Sequence, residues 1–328
     1  MSQKIQWGIL GTGSIAHKFA TGLSFLSDAE LVAVGSRNIE RADQFANRFD
    51  IPNRHPSYES LVSDPTIDII YIATPHNLHQ ENTQLCLESG KAVICEKPFA
   101  INANQAKKMV ESAQTEKLFL MEAMWTRYLP LMVELRATLD KNLIGEVRML
   151  TADFGFRAEP NPESRLFNPK LGGGALLDVG IYTISLASMI FGSPTQVVSL
   201  AHLGETGVDE QAGIVLSHAQ NELAILHTAI RTNTPQEAII MGTQGRIRIH
   251  SPWWIPNTMT IELSGEPPKT IEIPYEGNGY HYEATEAMNC LRFNKLDSDT
   301  MPLSETISIM QTLDQIRDQW GLKYPMEK

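Results

Sequence analysis

The chain has 328 residues, 42% of them hydrophobic, enough to bury a sizeable core and long enough for two domains. With 27 basic against 38 acidic residues the formal charge is −11, which makes nucleic acid and anionic membrane surfaces poor partners. Only three cysteines occur, Cys86, Cys95 and Cys290, with no CxxC pair, so buried thiols in a reducing compartment are expected rather than disulfides or a zinc site.

The start, Met1–Gln6, is polar, and the apolar run behind it is broken by Gly8, Gly11 and Gly13, so no signal peptide is expected. No stretch is expected to reach the roughly 20 apolar residues that span a bilayer, and the cytoplasm is the expected address. Lys4–Leu10 is a short apolar run, Ser14–Leu26 has helical periodicity, Leu31–Gly35 reads as a strand and Ile39–Phe49 as a helix. A strand at Ile67–Ala73, a helix at Asn77–Ser89, a strand at Lys91–Cys95, a helix near Asn104–Gln114 and a strand near Leu118–Met121 follow. Short apolar strands alternating with helices predict βαβ units and a parallel sheet over residues 1–122.

The pattern then changes. A helix is expected at Leu129–Lys141, a strand at Val147–Phe156, a loop at Glu159–Lys170 and a helix at Leu176–Phe191. From Thr195 to Ile273 strands dominate, among them Val197–Leu203, Gln211–Ser217, Glu222–Ile230 and Gly245–His250, before a final helix at Leu303–Trp320. Residues 123–328 therefore read as a second, α+β domain on a mostly antiparallel sheet.

Gly11-Thr12-Gly13-Ser14-Ile15-Ala16 joins the first strand to the first helix. Its glycines allow a tight turn and close approach to a pyrophosphate, and the helix start offers free N–H groups, so Gly11, Gly13, Ser14 and Ile15 are candidates for a dinucleotide. NAD enzymes place an acid near the end of the second strand for the ribose 2′-OH. This chain has Gly35-Ser36-Arg37-Asn38 there. Ser36, Arg37 and Arg41 are candidates for a 2′-phosphate, and NADP is expected over NAD.

Thr74-Pro75-His76-Asn77-Leu78-His79 follows the third expected strand at the ligand edge of the sheet. Thr74, Pro75, His76, Asn77 and His79 are candidates for lining the cofactor cleft, against the alternative that the histidines are structural; no metal site is expected. Glu96-Lys97-Pro98 ends the fourth expected strand, where Pro98 restricts Lys97 to an extended conformation. Lys97 is either a proton-relaying amine at the cleft or a surface lysine before a helix start. Asp178 and Tyr182, four apart after Gly172–Gly174, share a helix face. They are either a carboxylate–phenol pair for proton transfer or a helix-dipole acid and a half-buried ring.

These three motifs, in this order and over essentially the whole chain, resemble the glucose–fructose oxidoreductase/inositol dehydrogenase (Gfo/Idh/MocA) family. Most of that family carries His where this chain has Tyr182, and often Asp where it has Ser185. That departure, with Met121–Arg127 reading MEAMWTR, resembles the subgroup of trans-1,2-dihydrobenzene-1,2-diol dehydrogenases and NADP-dependent D-xylose 1-dehydrogenases. The resemblance implies an α/β architecture: an N-terminal Rossmann doubly wound parallel sheet, then an α+β domain with a large open, mostly antiparallel sheet, with the active site between them. It implies hydride transfer at CH–OH or CH–CH groups of donors, with Tyr182 as acid/base, Lys97 easing its ionisation and holding the substrate oxygen, and Asp178 orienting the substrate. It places Glu96, Lys97 and Trp125 beside the cofactor, and implies homodimers or higher oligomers, often through the sheet face.

Trp125, Phe154, Phe156, Trp253 and Trp254 are candidate walls for a sugar or cyclic diol, each otherwise a core residue. Arg165 either contacts substrate or solvates its loop, and Tyr280, His281 and Tyr282 are candidates to close the pocket. Two other functions fit the same scaffold: a glycosidase using bound NAD for transient oxidation and elimination, which Arg37 weighs against, and a non-catalytic cofactor-sensing regulator, which needs neither Lys97 nor Tyr182.

Overall fold

The computed structural model describes residues 4–327; the polar start Met1–Gln3 lies outside them. The first elements are β1 (Ile5–Leu10), α1 (Ser14–Leu23), β2 (Ala29–Gly35), α2 (Ile39–Phe49), β3 (Asn53–His55), α3 (Tyr58–Val62), β4 (Ile69–Ile72), α4 (His79–Glu88), β5 (Ala92–Glu96), α5 (Ala103–Glu116) and β6 (Leu120–Ala123). The strands form a six-stranded parallel sheet in the order β3-β2-β1-β4-β5-β6. Every residue of β4 and β5 is buried, as expected for strands covered on both faces. The strand order reverses between β1 and β4, which opens a crevice beyond their carboxyl ends. Elements β3 and α3 escape periodicity because they are three and five residues long. A capping box, Ser57 with Ser60, starts α3.

The second half contains α6 (Pro130–Asp140), β7 (Val147–Gly155), a π-helical turn (Leu176–Gly180) running into α7 (Ile181–Phe191), β8 (Gln196–Leu203), β9 (Asp209–Ser217), β10 (Leu223–Ala229), β11 (Ala238–Gly242), β12 (Gly245–Ile249), β13 (Thr258–Leu263) and β14 (Lys269–Glu272). The eight-stranded sheet has the order β14-β13-β12-β11-β7-β10-β9-β8, antiparallel except between β7 and β10. Alternation decides its faces. Leu150, Ala152 and Phe154 of β7, Ile214 and Leu216 of β9 and Leu226 of β10 are buried, and α7 packs on β7 and β10. The opposite face carries Val198, Leu200, Val215, Leu223 and Ile225, all exposed.

Two helices close the chain, α8 (Tyr280–Arg292) and α9 (Leu303–Trp320). The chain forms two compact units, each assembled from more than one stretch of sequence. The first comprises residues up to Ala100, Asn104–Trp125 and Glu276–Thr306; the second comprises Ile101–Ala103, Thr126–Tyr275 and the residues from Ile307 on. The chain thus returns to the first unit with α8, while most of α9 lies in the second. Gly22 of α1 makes that return possible, because a Cβ there would stand 2.9 Å from Tyr280 Cβ.

One expectation fails on composition. Pro169–Phe191 is long and apolar enough to cross a membrane by length and hydropathy. It is mostly buried inside the second unit, with Ile181–Ser188 wholly covered, which is the position of a core helix.

Candidate functional site

The turn after β1 has the form a pyrophosphate needs. Gly11 adopts φ +103°, and a Cβ there would press within 3.0 Å of the Ala73 carbonyl, so the position requires glycine. At Gly13 a Cβ would meet only the Ala73 oxygen at 3.9 Å, and beyond it the space is open. Gly13 is the N-cap of α1 without any side-chain cap, and the first turn has no acidic residue. The leading N–H groups are therefore left for an anion, which is the fit a dinucleotide phosphate requires. Ser14 is exposed and Ile15 half-buried on that first turn.

Ser36 is buried at the end of β2, its hydroxyl accepting from Asn38 N at 3.3 Å. Asn38 in turn caps α2 by accepting from Arg41 N at 2.9 Å. Arg37 and Arg41 are both exposed at this corner. Arg37 lines a cavity together with a residue the sequence did not flag, Tyr58 of α3, and its guanidinium works against the rise that burial gives the Tyr58 hydroxyl's pKa. Tyr58 is 21 positions away in sequence on a short helix, so no spacing rule announced the pair.

The segment after β4 divides. Pro75 is exposed, while His76 and Asn77 are half-buried, and Asn77 Oδ1 is buried without a partner. His79 departs from its expected place in the cleft lining. It is fully buried, with Nε2 2.9 Å from the Thr74 oxygen and Nδ1 2.8 Å from the Pro98 oxygen. Burial lowers its pKa and outweighs the two carbonyls, which favour the charged ring. His79 therefore ties two strand ends together from inside. Thr74 is buried too, its hydroxyl accepting from Asn82 at 3.0 Å.

Glu96 and Lys97 stand at the end of β5. Glu96 is buried and accepts from the Tyr71 hydroxyl and, at 3.1 Å, from the Lys97 backbone N–H. The Lys97–Pro98 peptide is cis. Tyr71 stacks on Phe19 with ring centroids 3.6 Å apart. A second carboxyl near Glu96, Glu283 of α8, is fully buried with neither oxygen partnered. Burial first, and the Glu96 charge second, raise its pKa well above the carboxylate range. Glu122 supports the strand after Pro98 by accepting from Phe99 N at 3.2 Å and Thr306 Oγ1 at 3.1 Å. Trp125 is buried and stacks on Tyr280, centroids 4.4 Å apart and planes at 11°.

In the second unit Asp178 lies on the π-turn and Tyr182 in the first turn of α7, both buried. Arg165 donates to Asp178 Oδ1 at 2.6 Å, so the loop arginine has a definite partner. Phe154 and Trp254 stack face to face, centroids 4.6 Å apart, and the Tyr182 ring lies 5.4 Å from Phe154 and 6.2 Å from Trp254. Thr126 Oγ1 fixes the Trp254 segment by donating to its carbonyl at 2.7 Å. Trp253 is not a wall; it is core, 1% exposed, donating to the Asp153 oxygen. Phe156 is half-buried. Arg127 is buried, and its Nε and Nη2 donate to Ser185 Oγ at 3.1 Å and Ser185 O at 2.9 Å. Behind the triple glycine sits Asp209, unflagged by the sequence, accepting from Leu176 N at 2.7 Å. Gly174, at φ +118°, is required there: a Cβ would fall 2.2 Å from Asp209 Oδ1. Among the described residues no cluster of His, Cys, Asp and Glu has the makings of a metal site.

Residues 5–124 match the oxidoreductase family with NAD-binding Rossmann fold, and residues 132–248 match the GFO/IDH/MocA C-terminal domain. A trans-1,2-dihydrobenzene-1,2-diol dehydrogenase of Mus musculus is 37% identical, with 99% of each chain covered. A D-xylose 1-dehydrogenase (NADP(+)) of Hypocrea jecorina is 36% identical, with 98% of this chain and 93% of that one covered. The crystal structure of an aldose-aldose oxidoreductase from Caulobacter crescentus complexed with glycerol shares the fold with a TM-score of 0.88 at 22% identity, over 98% of this chain and 99% of that one.

Proposed function

The chain belongs to the GFO/IDH/MocA oxidoreductase family, and from that premise we propose that it is an NADP-dependent dehydrogenase acting on a hydroxyl of a sugar or a cyclic diol. As a member it is an NAD(P)-dependent dehydrogenase; the substrate class follows from the relatives' activities and from its own second unit. The observation that carries the reading is the cluster of Tyr182, Phe154 and Trp254, a phenol beside two ring faces, with the carboxylate of Asp178 four residues before Tyr182 and held by Arg165. A polyhydroxylated ring needs that combination, with polar groups for its hydroxyls and aromatic faces for its C–H surface.

Bound NADP supplies the hydride acceptor. Tyr182 takes the proton of the reacting hydroxyl as its carbon is oxidised, and returns it in the reverse direction. Lys97, in the first unit, supplies an ammonium that stabilises negative charge on a substrate oxygen. Asp178 accepts a hydrogen bond from a neighbouring substrate hydroxyl. Gly11, Gly13 and the start of α1 take the pyrophosphate, and Ser36 and Arg37 take the 2′-phosphate. Screening pentoses, hexoses, inositols and cyclic diols with NADP, following the absorbance of the reduced nicotinamide, tests the reading. Turnover with at least one class is expected. No reduction with any of them would overturn it.

The chain also works as a homodimer or higher oligomer in the cytoplasm under this reading. The cysteines are free and buried, which suits a reducing compartment. Val198, Val215 and Ile225 form one cross-strand row on the open face of the eight-stranded sheet. With Leu200, 82% exposed, they make an apolar patch of the kind an interface covers. The net charge of −11 weighs against nucleic acid or anionic membrane as partners.

A further inference from the structure

Arg37 lies two residues past the end of β2, exposed to solvent. A long exposed arginine carries about 2 kcal/mol of rotamer entropy, which a phosphate must overcome unless the side chain is already held. The rim of the adjoining cavity makes this sharper. The cavity, about 650 Å³, is lined by Arg37 and Tyr58 together with Asn77, and by the acids Glu59, Glu81 and Glu88. A loose guanidinium would be drawn toward those carboxylates and away from a 2′-phosphate.

Tyr58 opposes that drift. It lines the same cavity wall as Arg37, the guanidinium acts on its hydroxyl by charge and hydrogen bonding, and as a neutral partner it leaves the positive charge available. Tyr58 itself is firmly mounted. It is the first residue of α3, whose start is capped by Ser57 accepting from Ser60 N at 3.2 Å. One turn on, Leu61 is fully buried against Gly35; a Cβ on Gly35 would stand 2.8 Å from Leu61 Cβ, so the helix rests directly on the end of β2. Ser36 N donates to His55 O at 3.2 Å, fixing the strand end from the other side. Arg37 and Tyr58 are thus anchored to the same rigid corner. In the same cavity Asn77 Oδ1 is buried without a partner, an acceptor that points to a ligand with a donor group.

We propose that Tyr58 is a positioning residue that sets the preference for NADP over NAD by holding Arg37 in place for the 2′-phosphate. This rests on reading Arg37 as the 2′-phosphate ligand. Tyr58→Phe removes only the hydroxyl and keeps the ring in its half-buried seat. Titration of the protein with NADP and with NAD, followed by calorimetry, gives both dissociation constants without turnover. The expected result is about a tenfold weaker NADP complex, the size of one charge-assisted hydrogen bond, with NAD affinity unchanged. In Arg37→Ala the NADP preference is lost, and adding Tyr58→Phe to that variant has no further effect. An unchanged NADP/NAD ratio in Tyr58→Phe with a lost ratio in Arg37→Ala overturns the role of Tyr58 and leaves Arg37 standing. An unchanged ratio in both overturns Arg37 and Tyr58 together. Equal weakening of both dinucleotides in Tyr58→Phe also contradicts the proposal, because it marks a general structural effect.

Discussion

Arg165 Nη1 lies 2.6 Å from Asp178 Oδ1, and the two side chains differ sharply in exposure, 57% against 6%. A buried carboxylate is thereby held by an arginine that water can reach. Removing the arginine leaves the buried Asp178 carboxylate with one donor fewer, so some stability is lost. The carboxylate also loses its fixed orientation. Arg165→Ala is expected to raise KM for the sugar or diol by about tenfold with kcat nearly unchanged, the signature of lost uniform binding. Steady-state kinetics with saturating NADP check this. A fall in kcat at constant KM would show that the pair acts on the chemical step instead.

Asp209 makes stability depend on pH. Burial raises its pKa to about 7, against the opposing pull of the Leu176 N–H and of Arg317. An acid whose folded pKa is raised keeps its proton in the folded state while the unfolded chain loses it. Stability is therefore full below the ordinary carboxylate range and declines as pH rises toward 7. Glu283, raised in the same direction, adds to that decline. Asp209→Asn still accepts from Leu176 N and no longer ionises. Its melting temperature should fall less than wild type's between about pH 4.5 and 7.5. Parallel slopes for the two proteins would show that Asp209 does not titrate in this window.

The βαβ half was legible because its signals are local. Ile39–Phe49 and Leu303–Trp320 match their observed helices, and the glycine turn identified itself through its place between strand and helix. The failures share one cause, that side-chain direction and long-range partners leave no periodic trace. His79 looked like a cleft residue by position, yet its ring points into the core. Trp253 and Trp254 are neighbours in sequence, but only Trp254 joins the aromatic cluster. Helix α8 was hidden behind Gly277-Asn278-Gly279 and three aromatic residues, although Tyr280, Ala284, Ala287 and Met288 carry a helical period. Tyr58, Asp209 and Glu283 acquire their meaning only from residues brought to them by the fold.

The open face of the eight-stranded sheet predicts assembly. Leu200 lies on the edge strand β8, two residues from Val198 of the exposed apolar row, and is 82% exposed in the isolated chain. Light scattering after size exclusion should give at least twice the chain mass for wild type, and Leu200→Lys should give a monomer with unchanged circular dichroism. A wild-type monomer, or a Leu200→Lys variant that stays assembled, would remove this face as the interface.

In the proposed reaction the chain binds NADP through its first unit and reduces it with the help of Lys97, whose backbone N–H is fixed by the buried Glu96. Its most direct test separates binding from chemistry in Lys97→Met, a change that removes the ammonium and keeps an unbranched side chain. NADP affinity by titration and the single-turnover rate of nicotinamide reduction with an active sugar or diol are measured on the same preparation. NADP affinity within about threefold of wild type and a rate reduced by a factor on the order of a thousand are expected. A rate close to wild type's with NADP still bound would contradict the proposed reaction.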